Sequence, residues 1–513
     1  MITPTLPEFI ELAREGNLIP VYEEVVADAE TPVSAYLKIA EEGGISFLLE
    51  SAESAEKFGR YSFIGCNPGL LFEMRGRTVR ITENGAVRAY ETESDPLREL
   101  QAMMSVYRVV KRPGLPIFTG GAVGYLSYES VRYFEPGVPR ARKDDLQVPD
   151  AFFAVTDTLL IFDHAARTIK ILANAHVTDS AGSAHGEAVR KIRDLRRKLM
   201  KSARSAIVPL DEPSAPGPEP GVNMTCGEYC RMTADMQEFI KAGDIFQVVP
   251  SQRFEVPFDG RPIDLYRALR HINPSPYMFC LNLPQFAVVG ASPEVHVRCE
   301  EGAVAIRPIA GTRRRGQTPG EDAALEKELL SDPKERAEHV MLVDLARNDI
   351  GRVCDFHSVR VTDFMTVERY SHVMHIVSHV TGTLRKGTDA YDVMRATFPA
   401  GTVTGAPKIR AMQIIAQEEP TCRGTYAGVV GYFGFGGNLD SCIAIRTVLL
   451  KDGRAHVQAG GGLVADSTPM GEYEESRNKA RAALRALELA RTFESQPSAT
   501  AGETDRDEPC KRS

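Results

Sequence analysis

The chain has 513 residues, with 61 Lys and Arg against 69 Asp and Glu, a formal charge of -8, 43% hydrophobic residues and no tryptophan. This is the composition of a globular protein with apolar mass for one large domain or several smaller ones. The acidic balance disfavours a nucleic-acid partner, and no run approaches the ~18 uninterrupted apolar residues of a membrane span.

Residues 3–16 read as a helix and 31–42 as another, with Thr31 as its cap and Pro32 in its first turn. A strand is expected at 45–54. Over 61–90, short apolar runs alternate with Gly65, Gly69, Gly76 and Gly85, a strand-and-hairpin pattern. A glycine-rich strand follows within 118–135, then a hairpin over 150–177 and a basic helix over 183–204 that reads as a solvated face. The proline-dense stretch 208–221 marks a boundary or a long excursion. It separates 1–207 from 222–495, and the tail 496–513 has the composition of disorder. Past the seam a helix stops at Gly243. Strands are expected at 286–299, 302–309, 353–367, 373–381, 426–434, 441–450 and 453–459, and helices at 262–272, 321–346, 388–396, 407–418 and 471–492. Hairpin-like spacing outweighs strand–helix alternation, which predicts an α+β fold of mixed or mostly antiparallel sheets flanked by helices. The nine cysteines form no paired CxxC cluster, and the first residues lack the order of a secretory signal. A reducing, cytoplasmic setting is therefore expected.

Several stretches carry chemistry. Glu335 and Glu338 stand three apart and share a helix face, and Glu472 and Glu475 repeat that spacing at the start of the last helix. Two such pairs meeting across a cleft would suit Mg2+, which prefers oxygen ligands. Each pair alone is equally a surface feature or a helix-start acid. Residues 399–412 fail as a phosphate loop, because Gly405 is followed by Ala406, Pro407 and Lys408; a turn into a helix remains. The run Gly460, Gly461 and Gly462 is either a tight turn or a set of backbone N–H groups open to an anion. Arg446, a lone guanidinium in an apolar strand, needs a structural acid or a bound carboxylate. His372, His375 and His379 would make a zinc set only on a helix. The Val, Ile, Ser and Thr around them favour a strand, with His372 facing away from the other two. Each is then a structural histidine or an acid–base group.

The segments "RPIAGTRRRG", "AEHVMLVDLARNDIGRV", "VMHIVSHVTG", "FPAGTVTGAPKIRAM", "YFGFGGNLDSCIAIRT" and "QAGGGLVADSTPMGEYEESRNKA" together resemble the chorismate-utilising enzymes, and within them the large subunits of the anthranilate synthases. The amino-terminal half, including "FLLESA", resembles them too. The resemblance implies that family's fold, with sheets packed face to face. It also implies conversion of chorismate and ammonia to anthranilate and pyruvate through aminodeoxyisochorismate, the first committed step of tryptophan biosynthesis.

By the same resemblance, Glu338 and Glu475 would bind Mg2+ with Glu335 and Glu472 close by. Tyr426, Arg446, Thr312 and the amides around Gly460, Gly461 and Gly462 would hold substrate. His375, Glu294 and Thr402 would stand near the reacting ring. Gln247 replaces the lysine that activates water in isochorismate and salicylate synthases, and Ala310 replaces the lysine of common aminodeoxychorismate synthases. Both replacements favour anthranilate formation. Glu50, Ser51, Pro276, Tyr277 and Met278 would form an inhibitory L-tryptophan pocket. The 1–207 part would carry its regulatory strands, and 222–495 the chorismate-binding part. Ammonia would come from a glutamine amidotransferase small subunit, in an assembly of two large and two small chains. The alternatives are an aminodeoxychorismate synthase or a catalytically silent subunit of the same fold.

Overall fold

A computed structural model describes residues 1–41, 43–51, 59–201, 217–370 and 373–494. Its architecture follows from strands with no polar face. In Gly121–Leu126 and Ala151–Thr156 every residue is buried, and in Thr168–His176 every residue between the two ends. Such strands must be covered on both sides.

Among the described residues they form two twelve-stranded sheets in which every pairing is antiparallel. The first runs from Ile2–Thr3 and Leu18–Val26 through Ser46–Glu50, Tyr277–Asn282 and Phe286–Ser292 to Thr447–Lys451, Arg454–Gly460 and Ser251–Pro257. The second runs from Ile309–Arg314 and Val373–Thr383 through Val295–Glu300, Leu439–Ile443 and Val429–Gly434 to Gly121–Leu126, Ala151–Thr156 and Ala86–Glu91. Both sheets draw strands from either side of 208–221.

The sheets pack face to face. One core joins Phe47, Phe279, Leu281 and Val288 of the first sheet to Val123, Tyr125, Phe152 and Val430 of the second. The outer face of the first sheet is covered by helices that include Ala181–Leu199, Pro262–Ile272 and Pro469–Glu494. Pro96–Met104, Cys226–Lys241, Pro333–Gly351, Ala390–Thr397 and Lys408–Glu418 enclose the core on the second. This is the expected α+β arrangement. No described helix is long and apolar enough to cross a membrane.

Several boundaries differ from the sequence reading. The first helix is only Leu6–Leu12, because Ile2–Thr3 pairs with the strand Leu18–Val26 instead. The expected hairpin over 150–177 divides: Ala151–Thr156 belongs to the second sheet, and only Thr158–Asp163 and Thr168–His176 pair as a hairpin in the first. The helix expected at 321–346 is two helices, Pro319–Ser331 and Pro333–Gly351. Asp332 leaves helical geometry and its carboxylate accepts from the Lys334 and Glu335 amides, with Pro333 starting the second helix; this is an N-cap in mid-pattern. The strands expected at 286–299 and 441–450 also break, at Pro293–Glu294 and at Ala444–Arg446. Those breaks place Glu294 and Arg446. Residue 42, 52–58, most of the 208–221 seam, His372 and the 496–513 tail lie outside the described residues.

Phe279 is 1% exposed in the core between the sheets. Phe279→Ala is expected to cost about 3–5 kcal/mol by leaving a cavity, read as a lowered urea midpoint of unfolding.

Candidate active site

A cleft of ≈ 820 Å³ opens where the two sheets and their helices meet, walled by Asn273–Pro276, Pro293–Glu294, Ile309–Thr312, His375, Ile445–Arg446 and the start of the last helix. The helix Pro333–Gly351 lies on the second sheet, and Glu335 at its start faces Gly311, between the cleft residues Ala310 and Thr312. It packs on Ile309–Arg314 and Val373–Thr383, anchored by fully buried His339, whose Nε2 lies 2.6 Å from Ser378 Oγ. Burial pushes that imidazole down to about 4, so it is neutral there. The helix Pro469–Glu494 comes from the first sheet, against Arg454–Gly460 and Pro262–Ile272.

Between the two helices runs the turn Gly460–Gly462. A Cβ on Gly461 would stand 2.5 Å from Glu472 Oε2 and 3.1 Å from Glu475 Oε1. On Gly462 it would stand 2.6 Å from Gln247 Nε2 and 3.9 Å from Glu338 Oε1. Carboxylates of both helices thus close on one glycine pair that has no side chains to keep them away. Glu335 faces the neighbouring bulge, its Oε2 3.2 Å from where a Cβ on Gly311 would lie.

Each carboxylate is managed separately. Arg313 Nη1 donates to Glu335 Oε1 at 3.0 Å, and its other nitrogens hold Glu328 and Asp332. Lys479 Nζ sits 2.7 Å from Glu475 Oε1 and donates to Gly460 O at 3.1 Å. Gln247 Nε2 donates to Glu338 Oε1 at 3.1 Å. Among the described residues Glu472 Oε2 is buried with no hydrogen-bond partner. Burial first, and the Glu475 charge with it, raises the Glu472 carboxyl; the nearby Ser467 hydroxyl, Lys479 and Lys334 oppose this. As the side chains stand, no three His, Cys, Asp or Glu among the described residues are close enough to hold a metal ion. The donor set is nevertheless all carboxylate, with an orphaned oxygen pointing among the others, which fits a hard, oxygen-seeking divalent cation.

The acid–base groups occupy the opposite wall. Glu294 follows Pro293 in the strand break, and burial pushes its carboxyl up to about 7 against the pull of Lys479 and Arg446. Thr402 faces it, but its buried hydroxyl stays outside hydrogen-bond geometry. His375 lies on the strand Val373–Thr383 with Nδ1 3.0 Å from Gly311 O and 3.1 Å from Thr312 Oγ1. The carbonyl requires the proton on Nδ1, which leaves Nε2 as the acceptor. Burial lowers this imidazole's pKa. His379 shares the strand face with His375.

Arg446 adopts a φ of +50° and enters the cleft, where the one hydrogen bond of its guanidinium among the described residues is a long 3.5 Å contact with Asn273 Oδ1. Burial lowers its pKa, and Glu294 opposes that. Tyr426 lies in the core behind the cleft beside Arg423, its hydroxyl raised to about 12 by burial. Ala310 lines the cleft. Sequence reasoning missed Lys479 and Arg313. Lys479 stands one helical turn after Glu475, a legible i,i+4 pair; Arg313 was one of three successive arginines with nothing to distinguish it.

Glu50, Ser51, Pro276, Tyr277 and Met278 share a second cavity of ≈ 440 Å³. Glu50 accepts from Tyr266 at 2.6 Å and from Arg270 at 2.8 Å, while Ser51 Oγ has no partner among the described residues. Tyr277 donates to Asp440 at 2.8 Å and accepts from Arg298 at 3.0 Å. Pro276 lines both cavities.

The family model for chorismate binding enzymes matches residues 44–485. Anthranilate synthase component 1 of Acetivibrio thermocellus is 47% identical over 497 residues, covering 96% of this chain and 99% of that protein. Its counterpart in Pseudomonas aeruginosa is 48% identical over 490 residues, covering 94% and 98%. The crystal structure of anthranilate synthase component I from Streptococcus pneumoniae superposes with a TM-score of 0.73 at 35% identity, over 90% of this chain and 99% of that one.

Gly461→Ala should displace the Glu472 and Glu475 carboxylates and cut turnover at least about tenfold, with an unchanged circular-dichroism spectrum. A carboxyl raised from 4.5 to about 7 favours the folded state below pH 4.5, and that contribution is lost as pH rises through 7. Glu294→Gln should therefore raise the unfolding temperature at pH 8.5 and leave it unchanged near pH 4, as followed by calorimetry.

Proposed function

The chain belongs to the chorismate-binding enzyme family, and from that premise and the cleft we infer that it is the large subunit of an anthranilate synthase. It converts chorismate and ammonia to anthranilate, pyruvate and water. The observation that carries the reading is the convergence of Glu338, Glu472 and Glu475 on Gly461–Gly462, with Glu475 lining the same cleft as Glu294, His375 and Arg446.

Glu338 and Glu475, with Glu335 and Glu472 beside them, would hold Mg2+. When bound, the ion supplies positive charge that offsets the substrate's ring carboxylate and the glutamates together. Arg446 presents its planar fork to the enolpyruvyl carboxylate, and the amides of Gly460–Gly462 have no side chain to keep an anion away. Thr312 lines the same wall. Tyr426, its hydroxyl protonated at neutral pH, is a donor behind that wall. Holding the ring against ammonia replaces a bimolecular encounter with an oriented one.

Ammonia adds at ring C2 as the C4 hydroxyl leaves as water, and that departure needs a proton. Glu294 titrates near neutrality and can carry it, with the Thr402 hydroxyl at hand. In the second step the C2 proton is removed and the ether bond to the side chain breaks, aromatising the ring and releasing pyruvate. His375 Nε2 is placed to accept a proton there. Gln247 is spent on Glu338 and its amide is no base, and Ala310 offers no nucleophile. Water attack and the lysine-dependent C4 chemistry of relatives therefore have no agent at those positions.

The relatives' designation as component 1 supports a second component; in this reading that component hydrolyses glutamine, and the assembly holds two copies of each chain. The second cavity would take L-tryptophan. Pro276, common to both cavities, gives the inhibitor a route to the cleft through the Asn273–Pro276 loop.

The test is to incubate the chain with chorismate, Mg2+ and ammonium at mildly alkaline pH and identify the products. Anthranilate and pyruvate in equal amounts, abolished by EDTA, are expected; aminodeoxychorismate without pyruvate would overturn the assignment.

A further inference from the structure

Behind the cleft, out of reach of any ligand in it, Arg423 and Glu419 form an ion pair at 2.6 Å with side chains 1% and 3% exposed. So deep a pair is tolerated only when every donor and acceptor is used, and here the uses lead to the active-site loops. Arg423 Nη1 donates to Val403 O at 2.8 Å and Nη2 to Val249 O at 2.6 Å, while Nε and Nη2 hold the two oxygens of Glu419. Glu419 Oε1 accepts from the amide and hydroxyl of Ser251 at 2.9 and 2.8 Å. Ser251 pairs with Gly460. The same segments are laced to one another: Gln247 pairs with Ala406, Val249 N donates to Thr404 O, and Val248 exchanges two bonds with Leu463.

Three loops, 247–251, 402–406 and 460–463, thus share one buried clamp. On their cleft side they carry Gln247, which holds Glu338, Thr402, which faces Glu294, and the Gly461–Gly462 turn on which the carboxylates close. Resting on the functional reading above, we propose that Arg423 and Glu419 are positioning residues: they set the mutual placement of the metal-holding and acid–base groups without touching substrate. The planar fork of arginine bridges two carbonyls and a carboxylate at once, which the single ammonium of lysine cannot do.

Arg423→Lys keeps the charge and removes the bridge. Hydrogen exchange read by mass spectrometry should quicken in all three loops together. The dissociation constant for Mg2+ alone, measured by calorimetry, should rise about tenfold or more, with kcat falling in parallel. Glu129→Gln is the structural control, because Glu129 holds only the backbone amides of Arg423 and Gly424, at 2.8 and 3.0 Å. It should leave Mg2+ affinity alone. Wild-type exchange and affinity in folded Arg423→Lys, or an equal loss of affinity in both variants, would overturn the proposal. Should Arg423→Lys not fold, Ser251→Ala removes one bond to Glu419 and must shift exchange in the same loops, or the proposal fails. A wild type that binds no Mg2+ would instead count against the functional reading, and the exchange comparison would still decide whether the clamp organises the loops.

Discussion

Like charges held close together are the constraint around which the rest is arranged. Two carboxylates ~4 Å apart near a protein surface repel by about 4 kcal/mol, and this chain brings Glu338, Glu472 and Glu475 to one pair of glycines, with Glu335 at their side. Arg313 and Lys479 supply counter-charge from the flanks, and the Gln247 amide supplies a neutral donor. Among the described residues Glu472 Oε2 has no hydrogen-bond partner.

The fold explains how such a cluster can be built. One helix of glutamates is fixed to the second sheet and the other to the first, so the cluster lies at the meeting of two separately packed bodies of structure. Each helix brings one pair of glutamates three residues apart, and the two pairs meet because the helices are anchored on different sheets. The strand breaks serve the same end: Pro293 turns Glu294 out of its strand, and the positive φ of Arg446 turns a guanidinium out of another. Regular strand geometry at either point would have sent those side chains to a sheet face instead. Pro276 borders both this cleft and the second cavity.

Much of this was legible in the sequence, for identifiable reasons. The helix Pro262–Ile272 appears as read because a proline starts it and its apolar stripe is clean, and the start at Thr31–Pro32 because Thr31 caps it. The 321–346 stretch concealed its division, since helix-forming residues dominate on both sides of Asp332–Pro333; the cap residue and the proline were the signal. Ala151–Thr156 and Thr158–Asp163 are consecutive in sequence yet lie in different sheets, and no local pattern encodes which sheet a fully buried strand joins. At the site, the two Glu pairs were visible by spacing, but their meeting was not. It depends on pairing between segments more than a hundred residues apart, which only family resemblance could supply. Arg423 and Glu419 gave no signal, because an i,i+4 pair of opposite charge is ordinarily a surface feature, and only burial distinguishes this one.

The account rests on glutamates from two helices acting on one ion, and Mn2+ binding followed by electron paramagnetic resonance tests that most directly. It predicts a single site per chain whose affinity collapses in Glu338→Gln and equally in Glu475→Gln. Wild-type binding in either variant would contradict it.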